Sequence, residues 1–246
     1  MKKIYLSAPG LVCCAGKNKD ELYESCIQGS QSGITMRELE GAGTFPVGLI
    51  KGELPQEKTH AAYTGNGRII KLIDAAVEQI RLEIEKAIAK YGAEKIGVCL
   101  GSCDNGSESS LVAHKEFLTG GAFPKDYDIR SQSASFPAEY ITQKFGLGGP
   151  VITVATACAS GASAIIRGAE SIRGGFCEAV IAGGADIVSE TVFLGFHALE
   201  AVSDILTNPF SKNRKGINLG EGAAFFLLDT EQGVQEVRNS GIELLG

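Results

Sequence analysis

The stretch Val151-Ile-Thr-Val-Ala-Thr-Ala-Cys-Ala-Ser-Gly-Ala-Ser-Ala-Ile-Ile166 decides how this chain folds. Its first part is apolar and β-branched, which predicts a buried strand that ends at Thr156-Ala157. Small residues and isoleucines follow, with helical character, over residues 159–172. Cys158 is therefore expected at a strand-to-helix turn, where the first N–H groups of a helix have no internal partner. The positive end of the helix dipole favours a thiolate there, and the thiolate is the reactive form of cysteine.

Two interpretations of Cys158 follow from the residues alone. The small neighbours Ala159, Ser160 and Gly161 leave space around the sulfur, as a nucleophile requires. Most free cysteines, however, are buried and serve only as packing residues. Both interpretations stay open at this point, but the turn position makes Cys158 the strongest nucleophile candidate among the seven cysteines.

Composition limits the class of protein. The chain has 246 residues, of which 44% are hydrophobic and 21% charged, an ordinary balance for one large or two small globular domains. Its net charge of -6 argues against nucleic acid as a partner, because binding to the phosphate backbone needs a basic surface. No window of about 18 apolar residues occurs, so we expect no membrane span.

The cysteines and histidines do not form a recognisable metal or disulfide pattern. The chain has seven cysteines, an odd number that cannot all form pairs within it, and no Cys-x-x-Cys pair occurs. His60, His114 and His197 stand far from the cysteines in sequence. The sequence therefore predicts neither a metal site nor a disulfide framework, and free thiols fit a protein of the reducing cytoplasm.

Predicted strands and helices alternate along the chain. Short apolar runs predict strands at 4–8, 12–14, 96–100, 151–156, 179–182, 223–228 and 242–245. Helices are predicted at 19–28, 68–90, 108–118, 137–145, 159–172, 191–202 and 231–237. Residues 31–66 are rich in turn residues and have no dependable period. The alternation predicts one layered α/β domain with a largely parallel sheet and no dividing linker.

Several segments together resemble the N-terminal half of the β-ketoacyl-acyl-carrier-protein synthases, members of the thiolase superfamily. They occur in the family's order and at compatible spacing, and the likeness extends over residues 1–246. They are Thr156-Ala-Cys-Ala-Ser-Gly161, Ile181-Ala-Gly-Gly184, Gly195-Phe196 with Ala201-Val-Ser203, and Asn208-Pro-Phe210 through Asn213-Arg214 to Gly220-Glu-Gly-Ala-Ala224. The resemblance implies a thiolase-like α/β fold with a mixed, largely parallel five-stranded sheet, one half of the family's αβαβα sandwich.

The resemblance also implies a reaction in two stages. Cys158 would take an acyl group, as a thioester, from the phosphopantetheine of an acyl-carrier protein. A malonyl-carrier would then lose carbon dioxide, and its carbanion would attack the thioester, in fatty acid, polyketide or polyene synthesis. The Cys158 N–H would form part of an oxyanion hole. No permanently bound cofactor is implied, because the carrier protein delivers the substrates.

Three further residues align with substrate-binding positions of the family. Phe196 aligns with an aromatic gate between the cysteine and the acyl tunnel. Ser133 aligns with a residue that reaches the partner subunit's acyl pocket, and Ser107, or its neighbour Glu108, falls near another pocket-lining position. Ordinary packing or loop solvation is the alternative for each of them.

Protein partners are implied as well. Arg68 and Lys71, on the predicted helix 68–90, are candidates for docking an acidic acyl-carrier protein, although a solvated helix face is the alternative. The family pattern implies a homodimer or heterodimer through the sheet edge.

The chain departs from the family at its end, where family members continue into a second, similar half. That half holds two histidines, a lysine and an aromatic residue of the active site, and no histidine of this chain aligns with them. We therefore expect a fragment, a truncated form, or half of a split enzyme that meets its other half in a partner, with no condensing activity in isolation. The helix after Cys158 would then lack cover on apolar residues; these are Ala162, Ile165, Ile166, Ala169 and Ile172.

Three functions remain from this comparison. The first is a condensing enzyme, and the second is a non-catalytic acyl-binding or partner subunit of a synthase complex. The third is a degradative thiolase. The segments Thr156–Gly161 and Asn208–Gly222 favour a carrier-linked synthase over a thiolase.

Overall fold

One mixed β-sheet forms the centre of the molecule, whose structure is a computed structural model describing residues 2–39, 41–54, 67–103, 106–125, 127–230 and 242–245. The strands are β1 (Ile4–Leu6), β2 (Gly10–Cys13), β3 (Ile34–Leu39), β4 (Gly43–Gly48), β5 (Ile96–Gly101), β6 (Val151–Val154), β7 (Ala179–Asp186), β8 (Gly222–Thr230) and β9 (Ile242–Glu243). The helices are α1 (Lys19–Gln28), α2 (Gly67–Val77), α3 (Arg81–Tyr91), α4 (Ser107–Gly120), α5 (Phe136–Phe145), α6 (Ser160–Arg173) and α7 (Glu190–Ala198).

The central sheet has the order β6-β5-β7-β8-β1-β9, and β2 also pairs with β8. Strands β6, β5 and β7 are parallel to one another, and β8 runs antiparallel to β7, β1 and β2. Five of the seven described strands of this sheet therefore point the same way, and only β8 and β9 oppose them. The layered, largely parallel α/β arrangement is as predicted. The strand number exceeds the predicted five because β1 and β2 lie end to end along β8, and β9 adds a short edge.

Helices cover both faces of the sheet. Along β5, Val98 and Leu100 point into a core shared with α2, α3 and α5, whereas Cys99 points into a core shared with α6. This alternation is the period of a strand buried on both faces. None of the helices in the described ranges is long and apolar enough to cross a membrane.

The outer face of α6 is only partly covered. Ala169 and Ile172 are buried against the sheet, contrary to the prediction that they lack cover. Ala162 is exposed, and the side chain of Ile166 is 46% exposed. The prediction of exposed apolar residues therefore holds for the outward-facing residues in the first two turns of α6. A helix that packs on one face only leaves such residues exposed to solvent.

The predicted helix over residues 68–90 is divided into α2 and α3 by a 3₁₀ turn, Glu78–Ile80. The amide of Gln79 donates to the carbonyl of Ala75 at 2.8 Å, an oxygen that would otherwise accept from the next helical turn. The same amide donates to the carbonyl of Leu11 in β2 at 2.8 Å. The side chain of Gln79 thus ties the break in the helix to the central sheet, a cause of helix bending that periodicity does not reveal.

A β-hairpin lies where the sequence predicts only turns. Strands β3 and β4 pair antiparallel from Ile34↔Gly48 to Leu39↔Gly43. Leu39, Phe45 and Val47 pack with Phe193 of α7. The glycines and the proline of β4 concealed this strand, because both residue types are depleted in strands. Residues 55–66 and the predicted helix 231–237 lie outside the described residues.

Two glycines permit close approaches that position α6 and β8. The strand predicted at 179–182 was expected to end before Gly183-Gly184, but this prediction is wrong because β7 continues through both glycines to Asp186. A Cβ on Gly183 would lie 2.0 Å from the carbonyl oxygen of Ala224 in β8. A Cβ on Gly101, at the end of β5, would lie 2.5 Å from the carbonyl oxygen of Ser160. Gly101 therefore lets the start of α6 rest on the sheet.

The substitution Gly101→Ala should lower the free energy of unfolding by about 1–3 kcal/mol, because the added methyl group must displace the first turn of α6. Urea unfolding followed by circular dichroism measures this difference. The matched control is Gly120→Ala at the end of α4, where a Cβ meets no atom within 4 Å. Equal urea midpoints for the two variants would contradict the close packing of Gly101 against the start of α6.

Candidate active site

Cys158 lies in a short 3₁₀ turn, Ala157–Ala159, between β6 and α6, where the sequence predicts it. Its side chain is exposed. The preceding residue, Ala157, has a φ of 50°, in the left-handed region that residues with a Cβ rarely adopt. A strained turn of this kind persists only where neighbouring contacts hold it, and such turns are frequent at functional sites.

The hydroxyl of Ser160 holds this turn. Its Oγ accepts a hydrogen bond from the Thr156 N–H at 2.9 Å and donates to the Ala157 carbonyl at 2.7 Å. Ser160 is only 3% exposed, so water does not compete effectively for these two bonds. The hydrogen bonds of one buried side chain therefore offset the strain at Ala157 and fix the direction in which Cys158 projects.

The backbone around Cys158 also has a free donor. The N–H groups of Ala159 and Ser160 donate to the carbonyls of Thr156 and Ala157. Within the described part of the chain, the N–H of Cys158 donates no hydrogen bond. The thiol and this N–H both lie at the positive end of the 14-residue helix α6, where negative charge is favoured.

Cys158 faces an open cavity of about 660 Å³. The ends of β5 and β7, the strand β2 and the start of β8 form its walls, so adjacent strand termini meet at one place. Its other lining residues, all within the described ranges, are Leu11, Val12, Cys13, Leu22, Gly101, Ala157, Ser160, Gly161, Ile165, Gly183, Gly184, Ala185, Asp186, Gly220, Glu221, Gly222, Ala223, Ala224 and Phe226. The surface is mostly apolar, which suits a hydrocarbon chain.

Glu221 anchors the turn that leads into β8. Its carboxylate accepts from the N–H of Ile50 at 2.8 Å and from Nε of Arg68 at 3.0 Å, with a second bond from the Arg68 Nη2. The hydrogen bond to Glu221 raises the pKa of Arg68 above its ordinary value. The guanidinium of Arg68 thus has a buried partner in Glu221, but 39% of the Arg68 side chain is exposed, and its contact with a carrier protein remains a prediction. Arg68 therefore links α2 to the wall of the cavity.

The other four predicted site residues do not line this cavity. Phe196 is half-buried on α7, and Lys71 is half-buried on α2. Ser107 starts α4, where its Oγ lies 3.0 Å from the Oγ of Ser189 in the loop before α7. Ser133 is exposed after a short 3₁₀ turn, with its Oγ 2.7 Å from that of Ser135. Their proposed contacts with substrate or partner remain predictions.

The described histidines have packing roles. The ring of His197 lies edge-on to Phe45, with centroids 5.3 Å apart. His114 Nδ1 lies 2.7 Å from the carbonyl of Ser110, and its ring packs on Phe123. His60 lies outside the described residues.

The seven thiols differ widely in their surroundings. Burial raises the pKa of Cys99 to about 12 and that of Cys177 to about 11, so both remain protonated and unreactive. Cys103 is exposed, and its Sγ lies 3.4 Å from the carbonyl oxygen of Ala157 and 3.4 Å from Oγ of Ser160. Sequence reasoning missed this neighbour of Cys158. The available signal was that both cysteines follow the carboxyl ends of parallel strands, which meet at one edge of a sheet.

Sequence relatives place this geometry in a family context. A family model described as "Beta-ketoacyl synthase, N-terminal domain" matches residues 69–233. Nodulation protein E of Rhizobium sp. (strain N33) is 26% identical over 236 residues, which cover 93% of this chain and 58% of that protein. The 3-oxoacyl-[acyl-carrier-protein] synthase 2 of Staphylococcus aureus (strain COL) is 28% identical over 248 residues, covering 95% and 59%. The chain thus spans somewhat more than half the length of these relatives.

Solved structures agree with the sequence relatives. A structure of the ketosynthase ApeO in complex with its chain length factor ApeC from Xenorhabdus doucetiae matches with a TM-score of 0.86 and 31% identity, covering 94% of this chain and 58% of that chain. A β-ketoacyl synthase from Burkholderia phymatum STM815 matches the fold with a TM-score of 0.80 at 22% identity, covering 100% and 64%. The thiolase-like fold is thereby confirmed. Since the family model extends over 165 of the 246 residues, the chain belongs to the β-ketoacyl synthase family and matches its N-terminal domain.

Proposed function

We propose that this chain carries the nucleophile of a 3-oxoacyl-acyl-carrier-protein synthase. The single observation that carries the proposal is the exposed Cys158, held by a strained turn at the start of α6 and facing an open apolar cavity. The Cys158 thiolate attacks the thioester carbonyl of an acyl group on the phosphopantetheine of an acyl-carrier protein. The acyl group then bonds to the sulfur of Cys158, and the phosphopantetheine thiol leaves.

The backbone of the same turn supports this step. The N–H of Cys158 donates to no described acceptor, and on this proposal it donates to the oxyanion of the tetrahedral intermediate. The positive end of α6 favours the negative charge that develops on that oxyanion. Because the turn is held by Ser160, these groups need little reorganisation when charge develops.

The second stage needs groups that the described residues do not supply. Decarboxylation of a malonyl-carrier develops negative charge, which positioned donors must stabilise. The described lining of the Cys158 cavity contains no histidine and no lysine. We therefore propose that the described chain accepts an acyl group but condenses only when another segment or chain contributes such donors. The pathway is fatty acid, polyketide or polyene synthesis, and the free thiols suit the cytoplasm.

A role as a non-catalytic partner subunit is the second candidate. It is favoured by the likeness to a structure of a ketosynthase in complex with its chain length factor. In that role the cavity would bind acyl chains without covalent attachment to Cys158. The acylation experiment below separates the two functions.

The edge of the sheet at β6 is the proposed dimer interface, for a homodimer or a heterodimer. β6 pairs with β5 on one side and has no neighbour among the described strands on the other. Val151, in β6, is 41% exposed. An exposed edge strand with apolar side chains is a template for pairing with a second chain. Arg68 and Lys71 remain the proposed contacts for an acyl-carrier protein, and the Arg68 side chain is 39% exposed although it is paired with Glu221.

Incubation with an acylated carrier protein should add one acyl group to Cys158, detected by mass spectrometry of proteolytic peptides. Cys158→Ser should reduce the adduct at least tenfold. The control is Cys26→Ser, which removes an exposed cysteine of α1 and should leave the amount of acyl adduct on Cys158 unchanged. Absence of the adduct, even after addition of the C-terminal half of a relative, would favour the partner-subunit role.

Ser160→Ala should slow acylation of Cys158 about tenfold, equivalent to about 1.4 kcal/mol, because the strained turn loses two hydrogen bonds. Single-turnover acylation, followed by mass spectrometry, measures the rate. Ser163→Ala, on the next turn of α6, is the matched control, since Ser163 makes one long contact of 3.4 Å with the Thr156 hydroxyl. A rate equal to that of the control would contradict the positioning role of Ser160.

Val151→Lys should raise the dimer dissociation constant at least tenfold, because a charged side chain at an edge strand opposes pairing. Sedimentation velocity over a range of concentrations measures this constant. Ile27→Lys, at a 67% exposed apolar position on α1, is the control. A monomeric parent chain, or equal dimerisation of both variants, would contradict the proposed interface.

A further inference from the structure

We propose that Cys103 is a resolving thiol for Cys158, so that a peroxide closes a reversible disulfide between them and stops acyl transfer. The proposal rests on the proposed function in one respect, namely that Cys158 is the reactive nucleophile. It adds a modification site at which the oxidation state of the surroundings controls the enzyme.

The topology brings the two cysteines together. Cys103 follows β5 and Cys158 follows β6, and these neighbouring strands are parallel, with Gly101 paired to Val154 at their ends. Both cysteines are exposed. They therefore emerge at the same edge of the sheet, where solutes can reach them.

The contacts place the Cys103 sulfur against the turn that carries Cys158. Cys103 Sγ lies 3.4 Å from the carbonyl oxygen of Ala157. A carbonyl oxygen lies about 2.8 Å from the next Cα across a planar peptide. Cys103 Sγ is therefore within about 6 Å of the Cys158 Cα, a separation that side-chain rotation and a small shift of the turn can close to disulfide geometry.

The backbone of Cys103 is fixed, whereas its sulfur makes only weak contacts. The N–H of Cys103 donates to Oδ1 of Asp186 at 2.8 Å, and the hydroxyl of Ser102 lies 3.2 Å from the same oxygen. The sulfur contacts Ser160 Oγ at 3.4 Å, and sulfur is a weak hydrogen-bonding atom. Cys103 is thus held beside Cys158 with a thiol that is free to rotate.

The other five cysteines are less suited to this role. Cys14 is half-buried, and burial raises the pKa of its thiol. Cys99 and Cys177 are buried, and burial raises the pKa of both thiols. Cys26 lies on α1 and is not among the described residues that line the Cys158 cavity. Cys13 lines the same cavity as Cys158 and is half-buried, so it is the competitor that an experiment must separate from Cys103.

The chemistry consists of two balanced steps. The Cys158 thiolate attacks a hydroperoxide oxygen, an S–O bond forms, the O–O bond breaks, and the leaving oxygen departs as water or an alcohol after taking a proton. The Cys103 thiol then attacks the sulfenic sulfur of Cys158, an S–S bond forms, the S–O bond breaks, and the released hydroxide takes the thiol proton to become water. The two thiols lose two electrons, and the peroxide gains them. A dithiol reductant restores both cysteines by exchange.

The disulfide would have two consequences for the site. It occupies the sulfur of Cys158, so no acyl group can be accepted. It also stops oxidation at a reversible stage, because a sulfenic acid without a nearby thiol proceeds to the sulfinic and sulfonic acids, which are not reduced by ordinary thiols.

The test treats the reduced full chain with hydrogen peroxide and maps its peptides without reduction. The expected product is a peptide pair linked through Cys103 and Cys158, lighter by two hydrogen atoms, with acylation by acylated carrier protein lost and then restored by dithiothreitol. In Cys103→Ser, sulfinic and sulfonic Cys158 should increase at least tenfold, and dithiothreitol should not restore acylation. Cys26→Ser is the control and should behave as the parent chain.

Several outcomes would overturn the inference. A link between Cys13 and Cys158 would assign the resolving role to another thiol, and equal overoxidation of Cys158 in the parent chain and in Cys103→Ser would show that no resolving thiol acts. Either outcome overturns only the role of Cys103, provided that the reduced chain still accepts an acyl group on Cys158. If the reduced chain accepts no acyl group, the proposed function is contradicted instead. The peptide map still shows, without any acylation, whether Cys103 and Cys158 form a disulfide.

Discussion

The hydrogen bonds of the Ser160 hydroxyl to Thr156 and Ala157 hold a turn that its own backbone disfavours, and the rest of the site depends on them. The turn can form there only because β5 ends in Gly101, which leaves room for the first turn of α6. The position of α6 in turn sets where the turn before it presents the free N–H of Cys158. Fold and candidate chemistry are therefore coupled through a few atoms at one edge of the sheet.

Local sequence patterns predicted most elements of this fold. The strand, turn and helix around Cys158 were predictable because β-branched residues, then small residues and isoleucines, favour those structures locally. The break at Gln79 was not, since it depends on bonds to Leu11, a residue 68 positions away. Likewise β7 passes through Gly183 and Gly184 because β8 comes close to it, and only the tertiary structure reveals that approach.

For the candidate site, too, local features were predictable from the sequence, and contacts between distant residues were not. Cys158 carries a local signature, and its position was predicted correctly. The pairing of Arg68 with Glu221 joins residues 153 positions apart, so local sequence patterns did not reveal it. Cys103 was missed for a different reason. The sequence predicted that both cysteines follow strands of a largely parallel sheet, but it did not specify that β5 and β6 are neighbours in that sheet.

The two proposed stages of the reaction make different demands on the fold. Acylation needs a cysteine nucleophile, a backbone donor and an apolar surface, and one strand-turn-helix unit with its neighbouring strands brings a cysteine, a donor and such a surface together. Decarboxylation needs side chains that donate to a second developing charge, and the described walls of the cavity present mainly glycine, alanine and apolar residues to that space. On the proposed function, acyl transfer to Cys158 is therefore separable from condensation. The nucleophile is prepared by contacts within its own turn, whereas the stabilisation of the carbanion must come from residues that approach across the open cavity.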